Sequence, residues 1–133
     1  MKFYIAAQNQ NTAKEVAKIL SEAGHEVTAR WINKEFNRTV KTPVNERKQI
    51  ATDDYHDVVR SDALVLCAAP LRASGGKFVE AGIAIGMLKP VYVLGHIENI
   101  LLYHWVCKQF NNVEDLIEYL QSNNTRPDRG MGE

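Results

Sequence analysis

Short apolar runs alternate with helical patterns along the whole chain. The runs have the length and composition of β-strands, and two of them, 63–69 and 90–95, are continuously apolar, which is typical of strands covered on both faces. The predicted strands cover residues 2–7, 25–32, 63–69, 90–95 and 106–110. Helical spacing of apolar residues predicts helices over 11–24, 42–60, 73–88 and 111–121.

This alternation predicts an α/β fold with a doubly wound, mostly parallel five-stranded sheet of the Rossmann or flavodoxin-like kind. The chain has 133 residues, the size of one domain. We expect the domain to occupy residues 1–122, followed by a polar tail over 123–133 that we expect to be disordered.

Ligands of doubly wound sheets bind beyond the carboxyl ends of the strands, where the strand order reverses. In this chain that edge comprises Ala6–Asn11, Cys67–Gly76 and Gly95–Asn99. We therefore expect Ala6 and Gln8 to contact a bound substrate.

One carboxylate, Glu80, interrupts the otherwise apolar, glycine-rich helix predicted over 73–88. It could simply favour the positive end of the helix dipole, but a capping box is excluded because Lys77 precedes it by three residues and cannot cap. The apolar residues around Glu80 leave little solvated face, so its side chain is expected to point towards the ligand edge. Gly75 and Gly76 lie just ahead of it and would let backbone amides approach an anion. This pattern suits a nucleophile or general base acting on a phosphorylated sugar.

A second inward carboxylate is expected at Asp54, because Ile50, Asp54 and Val58 recur every four residues along one helical stripe. A buried aspartate is uncommon unless it is paired or functional. Asp53 and Asp57 lie off that stripe and are predicted to be solvated.

The composition limits the classes of partner that we expect for this chain. The 16 basic and 16 acidic residues balance, so neither a nucleic-acid polymer nor an anionic membrane is expected to bind. Cys67 and Cys107 read as free thiols in a reducing compartment, which indicates a cytoplasmic protein. The histidines lack metal-ligand spacing, and Trp31 is equally suited to core packing and to stacking on a planar base.

The segment from Asp53 to Gly95 resembles the central half of the nucleoside 2-deoxyribosyltransferase family, which includes deoxynucleoside 5′-monophosphate N-glycosidases. It carries two aspartates, an apolar strand, a Ser/Gly-rich loop, the glutamate with its small-residue helix, and a "KP" pair before the next strand. The stretches "FYIAA" and "GHEVTARW" are similar to the first strand and second strand of a phage and bacterial branch of the family.

The resemblance implies that Glu80 is the nucleophile that attacks the anomeric carbon, and that Asp54 contacts the base or assists proton transfer. It also implies that Tyr4 lies near the sugar and that Ser74 binds a phosphate. Asn99 matches the position that reaches the substrate of a neighbouring subunit, which implies a homodimer or a larger homo-oligomer.

The first loop, "AAQNQN", departs from the family pattern because it lacks the usual Gly and Arg. A substrate phosphate would then depend on Ser74, on the amides of Gly75 and Gly76, and on Arg72 or Lys77.

The predicted function is cleavage of the N-glycosidic bond of a nucleotide or nucleoside, with transfer of the sugar to water or to a second base and with no cofactor. Two alternatives remain open at this stage. One is a glycohydrolase of a nicotinamide dinucleotide, and the other is a module that binds a nucleotide without turning it over.

Overall fold

The computed structural model describes residues 1–34, 42–70 and 75–124. The five strands are β1 (Lys2–Ala6), β2 (Glu26–Val27), β3 (Ala63–Cys67), β4 (Val91–Leu94) and β5 (Cys107–Phe110). The helices are α1 (Gln10–Glu22), α2 (Val44–Arg60), α3 (Gly76–Gly86) and α4 (Val113–Asn124), with two 3₁₀ helices at Arg30–Asn33 and Ile100–Tyr103.

All five strands form one parallel sheet in the order β2-β1-β3-β4-β5. Helix α1 packs beside α4 and α2 packs beside α3, so that helices cover both faces of the sheet. This is the doubly wound, flavodoxin-like arrangement that the alternating pattern predicts. The strand order reverses between β1 and β3, where a ligand site is expected.

Strand β3 lies at the centre of the sheet, and all five of its residues are buried, as its continuous apolar run predicts. Helix α1 begins after Asn9, whose side chain accepts a hydrogen bond from the amide of Thr12. It ends before Gly24, which has a positive φ of 92°, the left-handed conformation that favours glycine after a helix. Local residue chemistry therefore sets both ends of this helix.

The second strand is much shorter than predicted, because the backbone leaves the sheet after Val27 and forms the first 3₁₀ helix. Trp31, in that helix, is buried and donates its indole N–H to the carbonyl of Ile5 at 2.9 Å. The side chain of Gln10 donates to the carbonyls of Trp31 and Lys34. Trp31 therefore serves the core and holds the chain against β1.

The prediction that Asp57 is solvated is wrong, since its side chain is fully buried. It accepts hydrogen bonds from the backbone amide and guanidinium of Arg30 and from the guanidinium of Arg60. Asp57 follows Ile50 by seven residues, so at 3.6 residues per turn it lies on the inward face that a strict four-residue spacing misses. Asp53 is mostly covered and pairs with Lys34 at 3.1 Å.

Helix α4 continues to Asn124, and the rest of the tail predicted over 123–133 lies outside the described residues. Among the helices that the structure describes, none combines the length and the apolar character needed to cross a membrane.

Candidate active site

The hydroxyl of Tyr4 and the carboxylate of Glu80 meet at the sheet's strand-order reversal. Tyr4 is fully buried on β1 and donates to Oε2 of Glu80 at 2.5 Å. Glu80 lies in the second turn of α3 and is half-buried. A short bond from a phenol to a carboxylate is charge-assisted and fixes the orientation of both groups. Two residues implicated separately by the sequence are therefore in direct contact.

Two glycines begin α3, one turn ahead of Glu80. Gly75 is the N-cap of this helix and Gly76 is its first residue, and both are exposed. No atom of the described residues would lie within 4 Å of a Cβ atom added to either glycine. Exposed glycine backbone and the amides of a helix N-terminus together suit an anionic group.

The outer face of α3 is more exposed than its apolar sequence predicts. Val79 on α3 is exposed, and so are Met87 and Leu88 just after its end, so Glu80 does not lie on a helix that is covered all round. The carboxylate is directed inwards by its contact with Tyr4.

Lys77 is buried, and its ammonium donates to the carbonyls of Ala68, Pro70 and Cys67 at the end of β3. These bonds turn it away from the role of a phosphate ligand that the sequence left open for it. Burial raises the pKa of the neighbouring Cys67 thiol to about 11, although the charge of Lys77 opposes that shift. Cys67 is therefore a protonated thiol at neutral pH.

Asp54 is half-buried on α2, which agrees in part with the inward orientation that its spacing predicts. It lies close enough to Arg30 to help raise the pKa of that guanidinium, after the larger effects of Asp57 and Asp53. Helix α2 packs against α3, so the two helices that carry Asp54 and Glu80 are neighbours.

Three further predicted residues, Ala6, Gln8 and Asn99, end or follow strands β1 and β4 along the chain. Ala6 is buried at the end of β1, and Gln8 is exposed in the bend that follows. The side chain of Asn99 caps the second 3₁₀ helix by accepting from the amide of Leu101 at 2.9 Å. Ser74 and Arg72 lie outside the described residues, so their phosphate-binding roles stay predictions.

Sequence reasoning missed Lys77 as a buried residue and Arg30 as the partner of Asp57. No local sequence pattern marks Lys77 or Arg30. The partners of Lys77 are backbone carbonyls, and the partner of Arg30 lies on a helix distant in sequence. Within the three described ranges, no group of three or more His, Cys, Asp or Glu side chains could hold a metal ion.

Comparison with known proteins decides the family. The sequence profile described as nucleoside 2-deoxyribosyltransferase matches residues 3–131. The chain belongs to the nucleoside 2-deoxyribosyltransferase family. The resemblance noted in the sequence is thereby confirmed, and the chain is an enzyme of this family, which acts on small nucleosides and nucleotides. Among curated proteins, none matches the sequence significantly.

Solved structures share the fold of this family member. The 2-deoxyribosyltransferase of Bacillus psychrosaccharolyticus is 21% identical with a TM-score of 0.72, over 90% of this chain and 92% of that one. The CMP N-glycosidase of Clostridium botulinum is 18% identical with a TM-score of 0.60, over 91% and 99%. The single-stranded-DNA-binding DNA processing protein A of Helicobacter pylori is 17% identical with a TM-score of 0.59, over 92% and 81%.

Proposed function

We propose that this enzyme cleaves the N-glycosidic bond of a nucleotide or nucleoside with Glu80 as its nucleophile. The hydrogen bond from the Tyr4 hydroxyl to the Glu80 carboxylate, at the head of α3, carries this proposal. The bond fixes the orientation of the Glu80 carboxylate beside β1. Family membership supports the reaction class.

In the first step, Oε1 of Glu80 attacks the anomeric carbon of the sugar. The bond from that carbon to the base nitrogen breaks, and its electron pair leaves with the base. Asp54 gives its proton to the departing base, and the sugar remains as an ester on Glu80. The transition state resembles an oxocarbenium ion, which the ionised carboxylate stabilises.

In the second step, the roles reverse. The carboxylate of Asp54 takes a proton from water or from a second base, which attacks the anomeric carbon and displaces Glu80. Water as the acceptor makes the enzyme a hydrolase, and a second base makes it a transferase.

A monophosphate is the substrate we favour, because Gly75 and Gly76 are exposed glycines at a helix N-terminus. Ser74 would add a hydroxyl donor there. On this hypothesis, Ser74→Ala weakens binding of monophosphates by about 1.5–3 kcal/mol, the range of a hydrogen bond to a charged group, and leaves nucleosides nearly unaffected. An equal loss for both would contradict a phosphate-reading role.

We also propose that the working enzyme is a two-fold homodimer or a larger assembly. The segment 100–105, which follows β4, exposes large apolar side chains to water. Leu102 is the buried large residue of this segment. The exposed set comprises Ile100, Leu101, Tyr103 and Trp105. An exposed patch of this kind is typical of a protein–protein interface. Asn99 begins the segment and would complete the pocket around Glu80 of the other chain.

Complementation tests the shared site. Asn99→Asp keeps an acceptor for the Leu101 amide but removes the amide donor, and Glu80→Gln removes the nucleophile. Each variant should be inactive alone, and mixing them should restore part of the activity, because mixed dimers contain one unaltered site. A protein that sediments as a monomer at assay concentration, or mixtures that stay inactive despite proven exchange, would contradict the shared site.

A chromatographic screen for free base tests the main proposal. Ribo- and deoxynucleosides, their monophosphates and nicotinamide dinucleotide are incubated with the enzyme, with and without a second base. We expect a nucleobase from the nucleosides or monophosphates. Release of nicotinamide alone would favour the dinucleotide glycohydrolase, and saturable binding without any release would favour a binding module.

A further inference from the structure

Lys77 is a buried cation that donates to three backbone carbonyls and also lies 5.3 Å from the centre of the Phe78 ring. It is 3% exposed, and its ammonium donates to Ala68 at 2.6 Å, to Pro70 at 3.2 Å and to Cys67 at 3.4 Å. An ammonium has three N–H donors, so this set uses all of them. The three carbonyls belong to the end of β3 and the turn that follows it.

The position is electrostatically unfavourable for a lysine. Lys77 is the second residue of α3, and a cation near a helix N-terminus opposes the helix dipole. Burial lowers its pKa, although the charge of Glu98 works against that shift. An apolar side chain would avoid both costs but would leave the three carbonyls without these donors, so the lysine is kept for what it binds.

We propose that Lys77 is a positioning residue for the reaction, holding the end of β3 and its turn at a fixed distance from the α3 helix that carries Glu80. This inference rests on the proposed function. Lys77 and Glu80 are three residues apart and lie on neighbouring turns of α3. A displaced turn would therefore change the geometry between Glu80 and a sugar bound beside it.

The chain contains a matched control. Lys89 also donates to three backbone carbonyls, those of Val58, Val59 and Ser61. These groups lie at the C-terminus of α2 and at the opposite end of the sheet, where a cation is favourable. Lys89 thus has the same chemistry as Lys77 without contact to the active site.

The first experiment compares Lys77→Met with Lys89→Met by measuring kcat, KM and unfolding in urea. We expect Lys77→Met to lower kcat per folded molecule by about 100-fold with KM within about threefold, since a shift of about 1 Å can have that effect. Lys89→Met should lower stability and keep kcat within about twofold of wild type. A Lys77→Met enzyme with wild-type kcat per folded molecule would overturn the proposal.

Chemical rescue gives a second readout. Lys77→Ala leaves a cavity lined by three carbonyls, which propylammonium could enter. We expect propylammonium to restore kcat saturably, by about tenfold or more if the amine recovers half of the lost barrier, whereas propanol should not. Equal effects of the amine and the alcohol would show that filling the cavity matters and the ammonium does not, which contradicts the proposal. If Lys77→Met does not fold, Lys77→Gln takes its place in every comparison.

Hydrogen exchange separates this proposal from the proposed function. Amides of residues 66–69 should exchange faster in Lys77→Met than in wild type, and Lys89→Met should leave them unchanged. Absence of base release by the wild-type enzyme would refute the proposed function, while exchange would still decide the positioning role. Unchanged exchange in Lys77→Met would overturn the positioning role, whatever the activity.

Discussion

Helices α2 and α3 each direct a carboxylate inwards, but the two carboxylates have different surroundings. Asp57 on α2 is fully buried and pairs with the guanidinium groups of Arg30 and Arg60 at 3.0 and 2.9 Å. Glu80 on α3 is half-buried and accepts from the neutral hydroxyl of Tyr4, one turn after the two exposed glycines that begin its helix.

The comparison distinguishes a carboxylate that stabilises the fold, Asp57, from one that we propose for catalysis, Glu80. Burial alone would raise the pKa of Asp57, but the hydrogen bonds from Arg30 and Arg60 outweigh it and hold the pKa below its ordinary value. A carboxylate that is enclosed by two cations is stabilised as an anion and is a poor nucleophile. A carboxylate that is oriented by a neutral phenol is not neutralised by a paired cation in that contact. The predictions below test this division, from the largest expected effect to the smallest.

Glu80→Gln should lower base release by at least about a thousandfold, equivalent to about 4 kcal/mol of barrier. The amide keeps the shape and much of the hydrogen bonding of the carboxylate but cannot form the glycosyl ester. Steady-state kinetics and urea unfolding would show a large loss of activity with little loss of stability. Glu22→Gln, at the exposed end of α1, is the control and should retain full activity; a Glu80→Gln enzyme within tenfold of it would contradict the assignment.

Asp57→Asn should show the opposite behaviour, with a loss of about 3 kcal/mol of unfolding free energy and kcat per folded molecule within about threefold of wild type. Removing one partner of a buried ion pair is costly, and half-exposed Arg30 and Arg60 can recover some hydration, which places the effect at the low end of the usual range. Urea unfolding measures the first quantity and kinetics the second. An Asp57→Asn protein as stable as wild type would show that these ion pairs contribute nothing to the free energy of unfolding.

The loss of stability in acid should also depend on Asp57. The folded pKa of Asp57 lies below its ordinary value of 3.8, so its contribution to stability is fully present above that pH. The contribution is lost as the pH falls through the lower folded pKa. Unfolding free energy measured between pH 7 and pH 2 should therefore fall less steeply in Asp57→Asn than in wild type; parallel curves would exclude Asp57 as a source of the acid sensitivity.

Tyr4→Phe should lower kcat/KM by about 10–100-fold, the equivalent of losing a hydrogen bond to a charged group. The expected cause is a Glu80 carboxylate that is no longer oriented. Tyr92→Phe, which removes a hydroxyl from a buried residue of β4, serves as the control and should change kcat/KM by less than about twofold. Equal losses in both variants would indicate a general effect on the core.

Arg60→Gln should have the smallest effect, about 0.5–1 kcal/mol of stability, because its side chain is 54% exposed and water screens the pair. Added salt should reduce the difference between wild type and variant. Urea unfolding at low and high ionic strength measures this, and a loss as large as that of Asp57→Asn would show that Arg60 is the main partner of Asp57.

Much of the fold follows from local patterns. The continuous apolar run of β3 predicts a central strand that is buried on both faces. The alternation of strands and helices predicts a parallel sheet, because the helices that connect parallel strands cover its two faces. The short extent of the second strand could not be predicted. Its later residues have strand composition, but Trp31 gains more by packing on β1 and donating to Ile5 than by extending an edge strand.

The features of the candidate site also divide into those that the sequence predicts and those that only the tertiary structure decides. By itself, the sequence determined that Glu80 stands at the head of a glycine-rich helix at the ligand edge, since residue order and helical spacing are local properties. Only the tertiary structure decided that Tyr4 contacts Glu80, that Asp57 is enclosed by arginines, and that Lys77 binds the carbonyls after β3. Such contacts join residues remote in sequence, and the strand order and the packing of α2 and α3 select them.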